Sequence, residues 1–507
     1  MNKLRRKNAA FILLSAFSIL LVIEPCSSGA QTRTETMVVD THGPTRPFPH
    51  YWERMFGSGR AILSLRDSYR RDLREVKKAT GFEYVRFHAI FHDEVGLYDE
   101  DGAGKPVYNF SYVDQIYDGL LENNVRPFVE LSFMPKKLAA QLSVHPFWYK
   151  PIVSPPKDLN KWDDLISHFA QHLVDRYGID EISNWYFEVW NEPNLDFWVG
   201  EPKEQTYYRL YDATARALKR VDRRLRVGGP ATAQAAWVDR FLQHTVENDV
   251  PVDFVSSHVY GNDSSEDVFG TQETIPRTEM VCRAVRKVHD QVQASPRHNL
   301  PIIWSEYNAS YKNETEVTDS VFMGPYLADT IRQCDGLVAM LSYWTFSDVF
   351  EEQGVVKQPF YGGYGLIAEN GLPKPSFNAF KLLHQLGDQR IAVDSNSALA
   401  TKQSDGTVVI AIWNEFLPEE TGEQKRVKVM VKGLTGIHSA LMTRLDSTHG
   451  SVLSAYAAMG KPINPTQAQI QQLRRAAMLT QPETMQVHQG QVTIVLPPQG
   501  LALIEFH

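Results

Sequence analysis

From Phe56 to Phe346 the sequence repeats one pattern eight times: a short apolar run, then a segment of helical length. The runs lie near Phe56 to Leu63, at Tyr84 to His88, Pro127 to Leu131 and Trp185 to Trp190, then at Arg226 to Pro230, Phe254 to Tyr260, Leu300 to Glu306 and Val338 to Phe346. Between them, residues such as Tyr69, Leu73, Val76 and Thr80, or Trp162, Leu165, Ile166, Phe169 and Leu173, recur at helical spacing. Strands alternating with helices imply βα units and a parallel sheet, and eight of them over some 330 residues predict an α/β fold of the (β/α)8 TIM-barrel type. After the helical pattern around Phe377 to Leu386 the period changes to two, as in Val408, Ile410 and Ile412, in Val427, Val429 and Val431, and in Val492, Ile494 and Leu496. Such alternation predicts a C-terminal antiparallel β-sandwich, interrupted by one helix from Thr466 to Ala477. The expected division is a leader over 1–30, an N-terminal strand over 31–45 that joins the sandwich, the barrel over 46–387 and the sandwich over 388–507.

In a barrel of this kind the site is built at the C-terminal strand ends. Two of those ends carry glutamate. WYFEVWNEPN brings an aromatic and β-branched run to Glu192, before a proline that cannot pair in a sheet; LPIIWSEYN brings another apolar run to Glu306. A carboxyl half out of water has a raised pKa, which suits a general acid at neutral pH. A pair of such groups suits glycoside hydrolysis, where two carboxyls flank the bond to be broken. A structural salt bridge at either strand end would also explain one glutamate alone. His88, Phe133, Asn191, His258, Tyr260 and Trp344 are predicted at the other strand ends.

Residues 1–30 read as a signal peptide. Lys3, Arg5, Arg6 and Lys7 precede an apolar stretch from Ala9 to Ile23, too short for a typical span, with small residues before cleavage after Ala30. The chain is therefore expected to be secreted or periplasmic and free of the membrane once processed. Removing that basic segment takes the formal charge from −8 to about −11. An acidic chain without a basic cluster argues against nucleic acid as partner. One disulfide is possible between Cys282 and Cys334. HAIFH, His88 to His92, lacks the glutamate of a zincin motif, and no metal or cofactor is expected. The sequence says nothing of oligomeric state.

Several stretches carry a resemblance. FEVWNEPN around Glu192, SEYNASY around Glu306, the run SYWTFSDVFEEQGV from Ser342, YGGYGLI from Tyr361, and RVGGPA with PVDFVS are similar to glycoside hydrolase family 39, chiefly its β-xylosidases, over essentially the whole chain after the leader. The resemblance implies a barrel with a β-sandwich, a retaining mechanism and no cofactor. It implies Glu192 as acid/base, Glu306 as nucleophile and Asn191 on the sugar 2-hydroxyl. It places His88, Phe133, His258, Tyr260, Trp344 and Glu352 around the sugar, with Glu351 a weaker candidate than its neighbour. Departures occur at Ser305, where those enzymes often carry Thr, at Ser257, where Arg is frequent, and through the loop 261–277. The expected activity is that of an exo-acting β-xylosidase on xylo-oligosaccharides. The alternatives are an α-L-arabinopyranosidase, β-glucosidase or β-galactosidase of the same family, or a non-catalytic carbohydrate-binding protein. An α-L-iduronidase would want a basic residue for the uronate, and none is evident at these strand ends.

Overall fold

A computed structural model describes residues 33–434 and 436–506; the expected leader lies outside them. Eight parallel strands close into a barrel in chain order: β1 (Met55–Gly57), β2 (Tyr84–Phe87), β3 (Arg126–Glu130), β4 (Tyr186–Glu188), β5 (Arg226–Thr232), β6 (Phe254–Tyr260), β7 (Ile302–Asn308) and β8 (Met340–Tyr343). Helices such as Asp67–Ala79 and Leu159–Tyr177 pack outside it through the apolar faces read from the sequence, and Arg277–Ala294 does so through Val281, Val285, Val288 and Val292. Cys282 on one outer helix is disulfide-bonded to Cys334 on the next, Met323–Cys334.

Several strand limits differ from expectation. The first strand stops at Gly57, and Ala61–Leu65 is a 3-10 turn. The fourth stops at Glu188, four residues short of Glu192, because Trp190 and Glu192 take positive φ angles of 72° and 43° that no strand can hold. The seventh, by contrast, runs through Glu306 to Asn308.

Alternate side chains of a barrel strand point inward, so the strands stack the interior in layers. At the N-terminal end Met55, Tyr84, Phe128, Phe254, Ile303 and Met340 form a buried apolar floor. Two residues beyond Tyr84, Phe128 and the half-buried Tyr186 that packs on this floor stand Arg86, Glu130 and Glu188, all fully buried. The next step on β2 and β6 reaches His88 and His258. Period two thus lifts the interior from hydrocarbon, through charge, to the mouth.

β7 breaks the period. Ser257 pairs with Trp304 but His258 pairs with Glu306, so Ser305 is the extra residue of a bulge. A bulge lets neighbours on one strand face the same side. Ser305 and Glu306 accordingly both reach the barrel interior, where they bond to different partners.

The C-terminal domain has a seven-stranded antiparallel sheet facing a three-stranded one, with Val427, Val429, Ile410, Ile412, Ile494 and Ile504 in the core between them. The sandwich is not wholly antiparallel. The strand Arg33–Asp40 enters the smaller sheet and pairs in parallel with Lys425–Lys432. The interrupting helix, Gln467–Ala477, begins in a capping box of Thr466 and Gln469.

Candidate active site

The C-terminal mouth of the barrel holds a cavity of about 400 Å³. Asn191, Glu192, His258, Tyr260, Glu306, His88, Trp344 and Glu352 all line it. Phe133 does not. Its ring is wholly buried behind His88, against Trp190 and Phe197, so it supports the wall and cannot touch a sugar. Glu351 is also outside, bound by Arg60 and Arg66 at 3.4 and 2.5 Å.

Carboxylate oxygens of Glu192 and Glu306 lie within 4.8 Å of each other. A gap under that limit belongs with the ~5–5.5 Å of retaining glycosidases and is too small for the water that inverting ones hold. The surroundings of the two groups differ. Glu306 accepts from Tyr260 Oη at 2.7 Å and from Arg86 Nη1 at 2.5 Å, two donors that suit a carboxylate. Among the described residues Glu192 has no such pair of donors. Burial, then the negative charges of Glu306 and Asp263, hold it well above the usual carboxyl range.

The hydrogen bonds around His258 assign a proton. Ser305 Oγ donates to Glu188 Oε1 at 2.6 Å, so its oxygen accepts from His258 Nε2 at 3.0 Å. Burial, then the positive charges of Arg86 and His88, hold the His258 imidazole well below its usual pKa, so it is neutral and carries one proton. With that proton on Nε2, Nδ1 is an acceptor. It lies 3.0 Å from Glu192 Oε1, which must therefore donate: Glu192 is a carboxylic acid here.

No strand-end position marks Arg86 in the sequence, yet it is the hub of the site. Its guanidinium touches Glu130 at 2.8 Å, Glu188 at 2.6 Å and Glu306 at 2.5 Å, and donates to Asn191 Oδ1 at 3.0 Å. That last bond turns the amide so that its NH2 is free to face a ligand. His88 is tied through Nδ1 to Glu130 at 2.6 Å. Burial opposes charge on His88, but the Glu130 carboxylate outweighs it and raises its pKa. Its Nε2 stands 3.6 Å from Glu352, whose carboxyl burial pushes up to about 8. Glu192, His258 and Glu306 are also close enough to clasp a cation, but Arg86 and the Glu192 proton already occupy those atoms.

Trp344 closes one wall, its ring 4.9 Å from His88 and 5.7 Å from the Arg86 guanidinium. It packs on β1 only because residue 57 is glycine; a Cβ there would come within 2.0 Å of the indole. The run after β8 is held by fully buried Lys374, 2.7 Å from both Asp319 and Asp348, while Asp348 also accepts from Gly365 N at 2.7 Å. This pins Tyr364 beside the cavity. Tyr311, Asn262, Asp263 and Gln234 also line the cavity, from connections after the strands without periodicity to mark them.

The profile of glycosyl hydrolases family 39 matches residues 36–491. The chain belongs to this family. A β-xylosidase of Geobacillus stearothermophilus is 37% identical over 473 residues, covering 90% of this chain and 93% of that protein. One from Caldicellulosiruptor saccharolyticus is 35% identical, covering 85% and 88%. The solved structure of a family 39 β-xylosidase from Caulobacter crescentus superposes with a TM-score of 0.82 at 34% identity, covering 93% of this chain and all of that one. This family 39 hydrolase therefore shares its barrel, its sandwich and their arrangement with β-xylosidases of known structure.

Proposed function

We propose that this chain is an exo-acting, retaining β-xylosidase that releases xylose from xylo-oligosaccharides by double displacement, in the breakdown of xylan. The observation that carries the reading is the pair of unequal carboxyls within 4.8 Å in one cavity, Glu192 protonated and Glu306 held by donors. A Glu306 oxygen attacks the anomeric carbon as the glycosidic C–O bond breaks, and the Glu192 proton passes to the departing oxygen. The glycosyl ester leaves Glu306 uncharged, which removes one of the charges raising Glu192. Glu192 then takes a proton from water as that water attacks the anomeric carbon and frees Glu306. The Asn191 amide is set to hold the 2-hydroxyl, and Trp344 offers the ring an apolar face.

Among the described residues no lysine or arginine lines the cavity, and Glu352, Asp263 and Asp267 do, which disfavours a uronate. Across a nitrophenyl panel, β-xyloside should be cleaved about tenfold or more faster than β-glucoside or β-galactoside, the scale expected of one carbon substituent, and also faster than α-arabinopyranoside, which differs in configuration at C4. Faster β-glucoside hydrolysis would replace xylose with a hexose in this reading.

Glu192→Gln should lose about 10³-fold on alkyl and xylosyl leaving groups and far less on nitrophenyl xyloside, which departs without a proton. Equal losses, or none, would remove Glu192 as the acid, and failure of the wild type to hydrolyse any glycoside would favour a carbohydrate-binding role. Ser305→Ala tests the proton assignment. Without the hydroxyl, His258 is free to carry its proton on Nδ1 and donate it to a Glu192 carboxylate. That lowers the pKa of Glu192, so the alkaline limb of kcat/KM, where the acid is lost, should move to lower pH. An unmoved limb would reject the chain of bonds as its cause.

We also infer that residues 1–30 direct export. Mass analysis of the exported protein should find a chain beginning at Gln31.

A further inference from the structure

A second cluster of ionisable side chains lies away from the catalytic cavity. His50 and Glu53 are in the turn that leads into β1, and His384 caps the helix Pro375–Leu383. They sit at the N-terminal mouth of the barrel, opposite the site. The Glu53 side chain is 1% exposed. Its Oε1 meets His50 Nδ1 at 2.7 Å and His384 Nδ1 at 2.8 Å, and the latter is 3.0 Å from Oε2. One potential ligand atom from each residue falls within 4.8 Å of the others. The His50 ring is stacked on Trp52 with centroids 4.4 Å apart, which fixes its plane. His384 is 45% exposed, so the cluster opens to solvent on that side. Nothing in the reaction uses these three groups.

We propose that His50, Glu53 and His384 form a site for a divalent transition metal of the Zn²⁺ type, with solvent completing the coordination. Two imidazoles and a carboxylate are a ligand set that zinc and its neighbours favour over Mg²⁺ or Ca²⁺. Around a tetrahedral ion with bonds of about 2.0–2.2 Å, ligand atoms stand about 3.3–3.5 Å apart. The present contacts are shorter by roughly half an ångström, the difference between sharing a proton and sharing an ion. His384, half in solvent at a helix end, has room to yield that distance. Each imidazole presents Nδ1 to a metal once its proton has moved to Nε2 or to water.

The position gives such an ion a role. His50 precedes the first barrel strand and His384 follows the last barrel helix, so a shared ligand would tie the two ends of the barrel together. The ordinary alternative is that two imidazoles serve only to satisfy a buried carboxylate. Glu53 does titrate below its usual range, burial being outweighed by the bonds from His384 and His50.

The test is a titration of the chelator-stripped full chain with ZnCl2, followed by calorimetry and thermal melting, together with diffraction from zinc-soaked crystals at the zinc edge. Expected are one saturable equivalent, a higher Tm and an anomalous peak between the three side chains. His384→Ala should remove that equivalent and the Tm increment while leaving xyloside hydrolysis intact. His50→Gln, which keeps a planar group over Trp52, should do the same and serves if the first variant folds poorly. No saturable heat with Zn²⁺, Ni²⁺ or Co²⁺, binding that survives both substitutions, or an anomalous peak only at the catalytic carboxylates would each overturn the proposal.

Discussion

Glu306→Gln should abolish turnover of every glycoside, by a factor on the order of 10⁵, whatever the leaving group. The amide is isosteric but is not a nucleophile, and no neighbouring group replaces it; Tyr260 points its hydroxyl at the same atoms. Independence from the leaving group distinguishes this variant from Glu192→Gln, which should spare activated aryl xylosides. A slow 2-fluoro xyloside should add its sugar mass to the peptide containing Glu306 in the wild type and to no peptide in the variant. Label found on Glu192 or on Glu352 would exchange or redraw the roles.

Arg86→Met should damage stability and catalysis together. The guanidinium is fully buried and faces three carboxylates, Glu130, Glu188 and Glu306. Removing one partner from a buried ion network costs about 3–5 kcal/mol, because the remaining charges stay desolvated. The loss should depend on pH in a defined direction. Burial already raises the pKa of Glu188 even with Arg86 present. Without it, the folded-state pKa of Glu188 lies further above the unfolded value. The protonated form then favours the fold, and stability falls as pH rises through that pKa. The deficit in Tm relative to wild type should therefore be smallest at acid pH and widen toward neutrality. A constant deficit would mean that Arg86 contributes by packing, not by charge.

Arg86 also marks where reading the sequence stops. YVRFH is plainly a strand, and His88 is visible at its end, but an arginine two residues earlier looks like any solvated base. Only closure of the barrel, which superposes the middle residues of β2, β3 and β4, shows that it faces two glutamates and reaches a third. Glu130 and Glu188, inside their own strands, are hidden for the same reason. The strand-end residues were legible because apolar runs stop abruptly at them. Phe133 was misplaced because a strand end names a neighbourhood and not a direction: its ring turns into the wall. Ser305 stood out only as a departure from a familiar pattern. Its importance depends on a bulge, which no hydrophobic period records. Tyr311 comes from a loop and Gln234 from the single 3-10 turn Ala233–Ala235, neither of which any hydrophobic period marks.

The strand Arg33–Asp40 lies beside Lys425–Lys432, almost the whole chain away. During synthesis it emerges among the first ordered segments and waits, unpaired, until the ribosome has delivered nearly everything else. An exposed edge of this kind is a site for association with other nascent copies. A barrel cut free at residue 387 would keep the orphaned strand as an adhesive tail, so trimming such a fragment to begin near Phe48 should improve its yield more than any change inside the barrel.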